Sequence, residues 1–230
     1  MFYHLAWAGT TGQGRNDEVL QKKNIEYSLD AVDCAARFGC RKFVGIGSQA
    51  EYGRKDVPLS SLLECKPENE YGKAKLEAGI KTAEKAFASN MEHNWVRVLS
   101  VYGPNDGDQS LISFLIRKLK AHESPDLTQG EQVWDYLYSK DAARALYLIG
   151  ERGMSGKTYV LGSGNSRQLK EYIIEIRDLI SPETPLNFGA KQYGDKQVMY
   201  LKADISELHK DTGWLPQYSF INGIREMIDE

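Results

Sequence analysis

Residues 41–53 read RKFVGIGSQAEYG, and residues 69–75 read NEYGKAK. The first stretch carries a short apolar run closed by glycine, the pattern of a buried strand. The second opens a run whose apolar residues recur at helical spacing, from about Glu68 to Ala88. Between them, residues 48–67 hold Gly53, Pro58 and the pair Ser60-Ser61 and read as a loop. Outward from this unit the alternation repeats. FYHLA at the start reads as a buried strand, and a helix follows from about Asp17 to Phe38, closed by Gly39. NWVRVLS is a third strand, YGPND a turn and SLISFLIRKLK a helix. A short strand near WDYLY, a helix through DAARALYLIG and the strand KTYVLG come next. A helix over 167–180, the short stretch PLNF and two helical patches complete the chain. Strands alternating with helices predict a mostly parallel sheet covered on both faces, with its chemistry in loops at the carboxyl ends of strands.

The 230 residues suit one domain with a smaller lobe, and 41% hydrophobic content supports a packed core. A net charge of −3 argues against a nucleic-acid or anionic-membrane surface, each of which needs a basic excess. No apolar run approaches the ~20 residues of a membrane span, and no signal peptide is visible, so the expected location is the cytoplasm. Cys34, Cys40 and Cys65 form no CxxC pair, and the four histidines are scattered without HExxH. Neither a disulfide framework nor a metal site is predicted.

The constellation with the clearest chemistry is Ser48, Tyr71 and Lys75. Four residues apart on a helix, Tyr71 and Lys75 share one face. An ammonium beside a phenol favours the phenolate, and a tyrosine tuned that way can take a proton from a sugar hydroxyl or return one. Ser48, where a strand ends, can hydrogen-bond the same oxygen. The hydride itself would be carried by a nicotinamide. Tyr136 and Lys140 repeat the spacing, but in DYLYS, which reads as extended and would separate the side chains by roughly 13 Å. That copy is accidental.

GSQAEYG followed by NEYGKAK resembles the extended short-chain dehydrogenase/reductase family, in its nucleotide-sugar epimerase/dehydratase branch. The resemblance continues in order through His4-Leu5-Ala6, Asn24, Arg97, Tyr102-Gly103-Pro104 and Gly130 with Gln132. It runs on through Asp135-Tyr136, Asp141-Ala142-Ala143, Gly162-Ser163-Gly164, Asp204 and Gly213-Trp214-Leu215-Pro216. It implies a Rossmann-like α/β fold over 1–104 and 136–166, with a smaller C-terminal α+β substrate lobe over 105–135 and 167–230. It implies Tyr71 as catalytic acid/base, Lys75 on the ribose of NAD or NADP, and Ser48 on the sugar oxygen. Leu5, Ala6, Trp7 and Tyr102 would border the cofactor, and Asn24 would support the active-site helix. The substrate implied is a nucleotide-diphosphate sugar, touched by Ser48, Gln49, Ser100, Trp134 and Lys191. A homodimer through the helices of Asn24 and Tyr71 is implied as well.

Three departures qualify the resemblance. The family opens with a Gly-rich strand–turn–helix that holds the cofactor pyrophosphate, whereas this chain starts at what resembles the fourth strand. On that reading about two βα units, on the order of 60 residues, are absent. Gly45-x-Gly47-x-x-Ala50, Gly162-x-Gly164 and Gly12-x-Gly14 do not replace them. Second, Gln49 and Ala50 stand where family dehydratases carry an Asp-Glu pair, which disfavours 4,6-dehydration; Glu51 would point away from an extended backbone. Third, Trp134 occupies the position of an arginine that pairs with the substrate diphosphate, and Ser100 that of an asparagine; Lys191 could supply the missing charge. The expected activity is nucleotide-sugar epimerisation or 4-keto reduction, with a non-catalytic remnant of the family as the alternative.

Overall fold

The computed structural model describes residues 1–108 and 110–229. In chain order its elements are β1 (Phe2–His4), α1 (Glu18–Arg37), β2 (Lys42–Ser48), α2 (Glu70–Ala88), β3 (Glu92–Val98), β4 (Ser100–Tyr102), α3 (Leu111–Lys120), β5 (Asp126–Leu127), β6 (Val133–Trp134), β7 (Tyr136–Tyr138), α4 (Ser139–Arg152), β8 (Thr158–Leu161), β9 (Arg167–Gln168), α5 (Leu169–Ile180), β10 (Asn187–Phe188), α6 (Ser206–Thr212) and α7 (Phe220–Asp229). The α/β reading therefore holds, with a central sheet of order β1-β2-β3-β8 whose every pairing is parallel.

Alternation along β2 and β3 divides the core between the two faces. Phe43 and Trp95 point to α1 and α2, where they meet Val32, Ala35, Ala78 and Ala86. Val44 and Val96 point the other way, to Ala145 and Ile149 of α4 and to Leu208 and Trp214. Each long helix starts at a capping side chain: Asp17 accepts from the Leu20 N–H, and Asn69 from the Gly72 N–H. The FYHLA strand is an edge and only half-buried, not the buried strand expected, and Leu5 beyond it is exposed.

Trp95 sets the distance between sheet and helix. A Cβ on Gly45 would lie 2.4 Å from its ring, one on Gly47 2.3 Å from its Nε1, and one on Gly79 of α2 2.9 Å from its Cε2. The indole is thus packed against bare backbone on both sides.

The lobe is built from α3, α5 and α7 around Ile112, Leu115, Leu119, Ile173, Ile176 and Ile224. The WDYLY segment is two strands, broken at Asp135: β6 pairs antiparallel with β9 in the lobe, and β7 pairs parallel with β4. The Asp135 carboxylate is fully buried and accepts from Ser163 N–H and O–H and from the N–H groups of Gly164 and Ala203. Lys140 falls in α4 and ion-pairs with Glu226, while Tyr136 packs edge-on against Tyr172. The second Tyr-x-x-x-Lys copy is thus divided between strand and helix.

Candidate active site

Ser48 is the last residue of β2, at the carboxyl edge of the sheet, and caps a single 3-10 turn over Gln49–Glu51. Its hydroxyl accepts from the Ala50 N–H at 3.2 Å. Tyr71 and Lys75 lie in the first two turns of α2, both buried and one turn apart. The helix start presses on the turn: a Cβ at Gly72 would stand 2.3 Å from the Ala50 carbonyl oxygen. Glycine after Tyr71 is what lets the helix approach Ser48.

The charges around Tyr71 are arranged differently from expectation. The Lys75 ammonium donates to the Ile46 carbonyl at 2.6 Å and lies 3.8 Å from the centroid of the Trp7 ring, against 5.9 Å for the Tyr71 ring. Burial pushes it down to about 7, opposed by the Glu51 carboxylate. Tyr71 is shifted upward, chiefly by burial. The Ser48 hydroxyl and the Arg15 guanidinium oppose the shift, and Glu51 adds to it. Lys75 thus lies closer over the Trp7 ring than over the phenol. The cation closest over the Tyr71 ring is Arg15, 4.3 Å from its centroid, a residue that sequence reasoning missed.

Glu51 also departs from expectation, because the backbone after Ser48 is coiled, not extended. The turn folds the fully buried Glu51 carboxylate back under the strand. One oxygen accepts from the Ser48 N–H at 2.8 Å and Trp95 Nε1 at 3.0 Å, and the other from Arg97 Nε at 2.7 Å. Arg97 continues to the Tyr52 hydroxyl, which donates to the Ser60 carbonyl; burial pushes that phenol up to about 12. Every part of the Glu51 carboxylate is occupied. Gln49 is half-buried on the same turn, and Ala50 presents only a methyl.

The loop after β1 carries Leu5 and Ala6, both exposed, and Trp7, whose ring meets Tyr71 edge-on at 6.2 Å. The buried Asn24 amide accepts from the Ala8 N–H and donates to the Ala8 carbonyl, fixing this loop. Gln21, also missed, accepts from Trp7 Nε1 and donates to the carbonyls of Gly9 and Gly14. Tyr102 is buried in the lobe with its hydroxyl donated to the Phe220 carbonyl, so that hydroxyl is not offered to a cofactor. Ser100 opens β4, half-buried, in register with Tyr136.

Trp134 and Lys191 come together in the lobe. A cavity of about 600 Å³ is lined by Trp134, Lys191, Phe114, Leu127, Gln132 and Arg117 among others. Trp134 Nε1 is buried with no hydrogen-bond partner among the described residues. Arg117 of α3 and Lys191 give the cavity two cations, with the Asp108 and Asp126 carboxylates also on its wall.

The nicotinamide end of a dinucleotide fits these residues. A phenol, a hydroxyl and a lysine converge at the carboxyl edge of the sheet, beside the Trp7 loop. The pyrophosphate end finds no cradle among the described residues. Gly45 and Gly47 are small because Trp95 covers them, Gly162 because Ala203 and Asp135 do, and Gly14 because its Cβ would meet Gly9 Cα at 2.8 Å. Among the described residues no group of three or more His, Cys, Asp or Glu could hold a metal, and no helix is long and apolar enough to cross a membrane.

Known proteins agree with this geometry. The chain is 28% identical over 167 residues to a dTDP-glucose 4,6-dehydratase of Shigella flexneri, covering 64% of this chain and 46% of that protein. It is 29% identical over 139 residues to a CDP-abequose synthase of Salmonella typhimurium, covering 58% and 46%. The chain thus spans about half the length of the curated relatives it matches. Its fold superimposes on RMD from Pseudomonas aeruginosa complexed with NADPH, with a TM-score of 0.88, 19% identity, and 99% of this chain and 79% of that one covered. It superimposes equally on a UDP-N-acetylglucosamine 4-epimerase from Methanobrevibacter ruminantium, with a TM-score of 0.90, 21% identity and 99% and 75% coverage. A model of the NAD dependent epimerase/dehydratase family matches residues 1–162, and with the parallel sheet and the Ser48–Tyr71–Lys75 cluster described above, the chain belongs to that family.

Proposed function

We propose that this chain carries the reacting half of an NAD- or NADP-dependent enzyme that epimerises a nucleotide-diphosphate sugar or reduces its 4-keto form, without eliminating water. The observation that carries this reading is the surroundings of Ser48. The next two residues are an amide and a methyl, and the one carboxylate on the turn is locked between Arg97, Trp95 and the Ser48 backbone. Among the described residues no acid/base pair for dehydration stands beside Ser48. Redox chemistry at one carbon requires only the residues that are present.

A bound nicotinamide would supply or accept the hydride. Proton handling falls to the chain. The Ser48 hydroxyl accepts from the Ala50 N–H and hydrogen-bonds Tyr71, so a sugar oxygen placed between them can take its proton. Tyr71, held as a neutral phenol by burial, is prepared to give its proton to that oxygen as a ketone becomes an alcohol, which favours the reductive direction. Lys75 would hold the nicotinamide ribose, and the lobe cavity would take the nucleotide-diphosphate, with Lys191 and Arg117 toward the phosphates. Val19 and Tyr27 of α1 and Ile80 and Phe87 of α2 are exposed apolar side chains on which a second copy would close. The cytoplasm is the compartment that fits this chemistry.

The test is titration of the purified chain with NADH and NADPH by fluorescence, followed by incubation with nucleotide 4-ketosugars. Cofactor oxidation with alcohol formation supports reduction. Interconversion of two 4-hydroxy sugars without net oxidation supports epimerisation, and formation of a 6-deoxy-4-keto product overturns both. A cooperatively folded chain that binds neither cofactor supports the second reading, a non-catalytic module.

A further inference from the structure

We infer that Trp7 is a positioning residue for Lys75: its indole face covers the ammonium and holds it against β2, and it is the group that a ribose diol must displace to reach the lysine. This rests on the proposed function, since it concerns how the same lysine would come to hold the nicotinamide ribose.

The Lys75 ammonium is short of acceptors. Lys75 is only 3% exposed, so little water reaches it. An ammonium carries three donors. Among the described residues the Ile46 carbonyl, at 2.6 Å, is the one hydrogen-bond acceptor it finds. Beside its other donors stands the Trp7 ring, with the centroid 3.8 Å from Nζ. A π face attracts a cation but offers no lone pair, so a buried ammonium is better served by hydroxyl oxygens. Paired hydroxyls are what a ribose presents. The indole is thus a replaceable cover. It keeps the charge from being stranded, and it binds the ammonium less well than the group that would supplant it.

The loop between β1 and α1 is built so that the ring can move while the backbone stays. Asn24 pins Ala8 through both its N–H and its carbonyl, and the Gln21 Nε2 amide bridges the Gly9 and Gly14 carbonyls at 3.0 and 2.7 Å. Gly9 is closed in as well, since a Cβ there would meet Leu20 Cδ2 at 2.7 Å. The half-buried Trp7 side chain donates one hydrogen bond, from Nε1 to Gln21 Oε1 at 2.9 Å. Rotating the indole away therefore gives up that hydrogen bond and the contact with Lys75, and leaves the pinned backbone in place. Trp7 also meets Tyr71 edge-on at 6.2 Å, so the same rotation uncovers the flank of the phenol beside the lysine.

Two readouts test this, the first without cofactor. Reductive methylation by formaldehyde is followed at each lysine by mass spectrometry, in the parent, Trp7→Leu and Trp7→Phe. The exposed Lys73 of the same helix normalises the rates, and the buried Lys42 reports general loosening. In Trp7→Leu the Lys75 rate should rise roughly 5- to 30-fold, the equivalent of one partly desolvated cation–π contact. Trp7→Phe, which keeps a smaller π face and loses the Gln21 hydrogen bond, should fall between. An unchanged Lys75 rate in Trp7→Leu, or an equal rise at Lys42, overturns the inference. The second readout is NADH affinity by fluorescence titration. Both variants should bind NADH more tightly than the parent, because no ring has to be displaced. Weaker binding in Trp7→Leu, with the fold retained by circular dichroism, would make the indole a platform for the cofactor and overturns the inference as well. Failure of the proposed function reads differently: no chain binds NADH, while the methylation rates still decide whether Trp7 covers Lys75.

Discussion

Glu51 and Arg97 form an ion pair of 2.7 Å directly beneath Ser48, with the carboxylate entirely excluded from solvent. The Arg97 guanidinium is driven further above its ordinary value by the charges of Glu51 and Tyr52, despite burial. Breaking one side of such a pair strands a charge in the interior. Glu51→Gln is therefore expected to lower stability by about 3–5 kcal/mol in urea unfolding, whereas Glu51→Gln combined with Arg97→Met should cost less than that single change. A double variant weaker than Glu51→Gln alone would show that the pair is not the reason for the loss.

Tyr71→Phe removes the proton donor and its hydrogen bond with the Ser48 hydroxyl, while the ring keeps its packing against Trp7 and Arg15. Turnover should fall by about 10²–10⁴, the usual range for general acid–base catalysis, with the fold retained by circular dichroism. Activity equal to that of the parent would remove Tyr71 from the mechanism.

Lys75 gives a pH signature to folding. Its value falls from 10.5 to about 7 on burial, so between those limits the unfolded chain binds a proton that the folded chain does not. Stability should rise with pH across that window, at most about 1.4 kcal/mol per unit, and the penalty is complete below about pH 7. Lys75→Met should flatten the rise. Measuring the difference between parent and variant cancels the tyrosines that titrate nearby, and parallel curves from pH 7 to 10 would contradict the assignment.

The lobe cavity predicts a split between binding and chemistry. Lys191→Met and Arg117→Met each remove one cation from the wall beside Trp134. A charge-assisted contact is worth about 1.5–3 kcal/mol, so each change should weaken nucleotide-diphosphate binding roughly 10- to 100-fold by calorimetry, with kcat retained. Trp134→Phe, which deletes the unpartnered Nε1, should weaken it less. Unaltered affinity in all three would move the nucleotide elsewhere.

Much of this was legible before any coordinates. The strand–loop–helix around RKFVGIGSQAEYG and NEYGKAK has a periodicity that tertiary packing only reinforces, and Tyr71 and Lys75 share a face by helical geometry alone. What sequence could not supply was solvation and turn geometry. Whether Lys75 keeps its proton depends on the Trp7 ring and the Ile46 carbonyl, which come from distant segments. Glu51 was misread because one 3-10 turn after Ser48 reverses where a side chain points, and no glycine or proline signals it. Arg15 lay in a stretch without periodicity; the only signal was Gln21, whose burial on an otherwise solvated stretch of α1 is a tertiary fact. The cause of the fingerprint-like glycines at 45 and 47, the Trp95 ring, lies some fifty residues away.

That ring has a mechanical meaning. With glycine on the strand side and glycine on the helix side, the thickness of one indole determines how far Tyr71 stands from Ser48, much as a shim sets the clearance between two machined parts. Tolerances at this joint are a fraction of a methyl group. Drift at positions 45, 47, 79 or 95 would change the clearance between the strand that carries Ser48 and the helix that carries Tyr71.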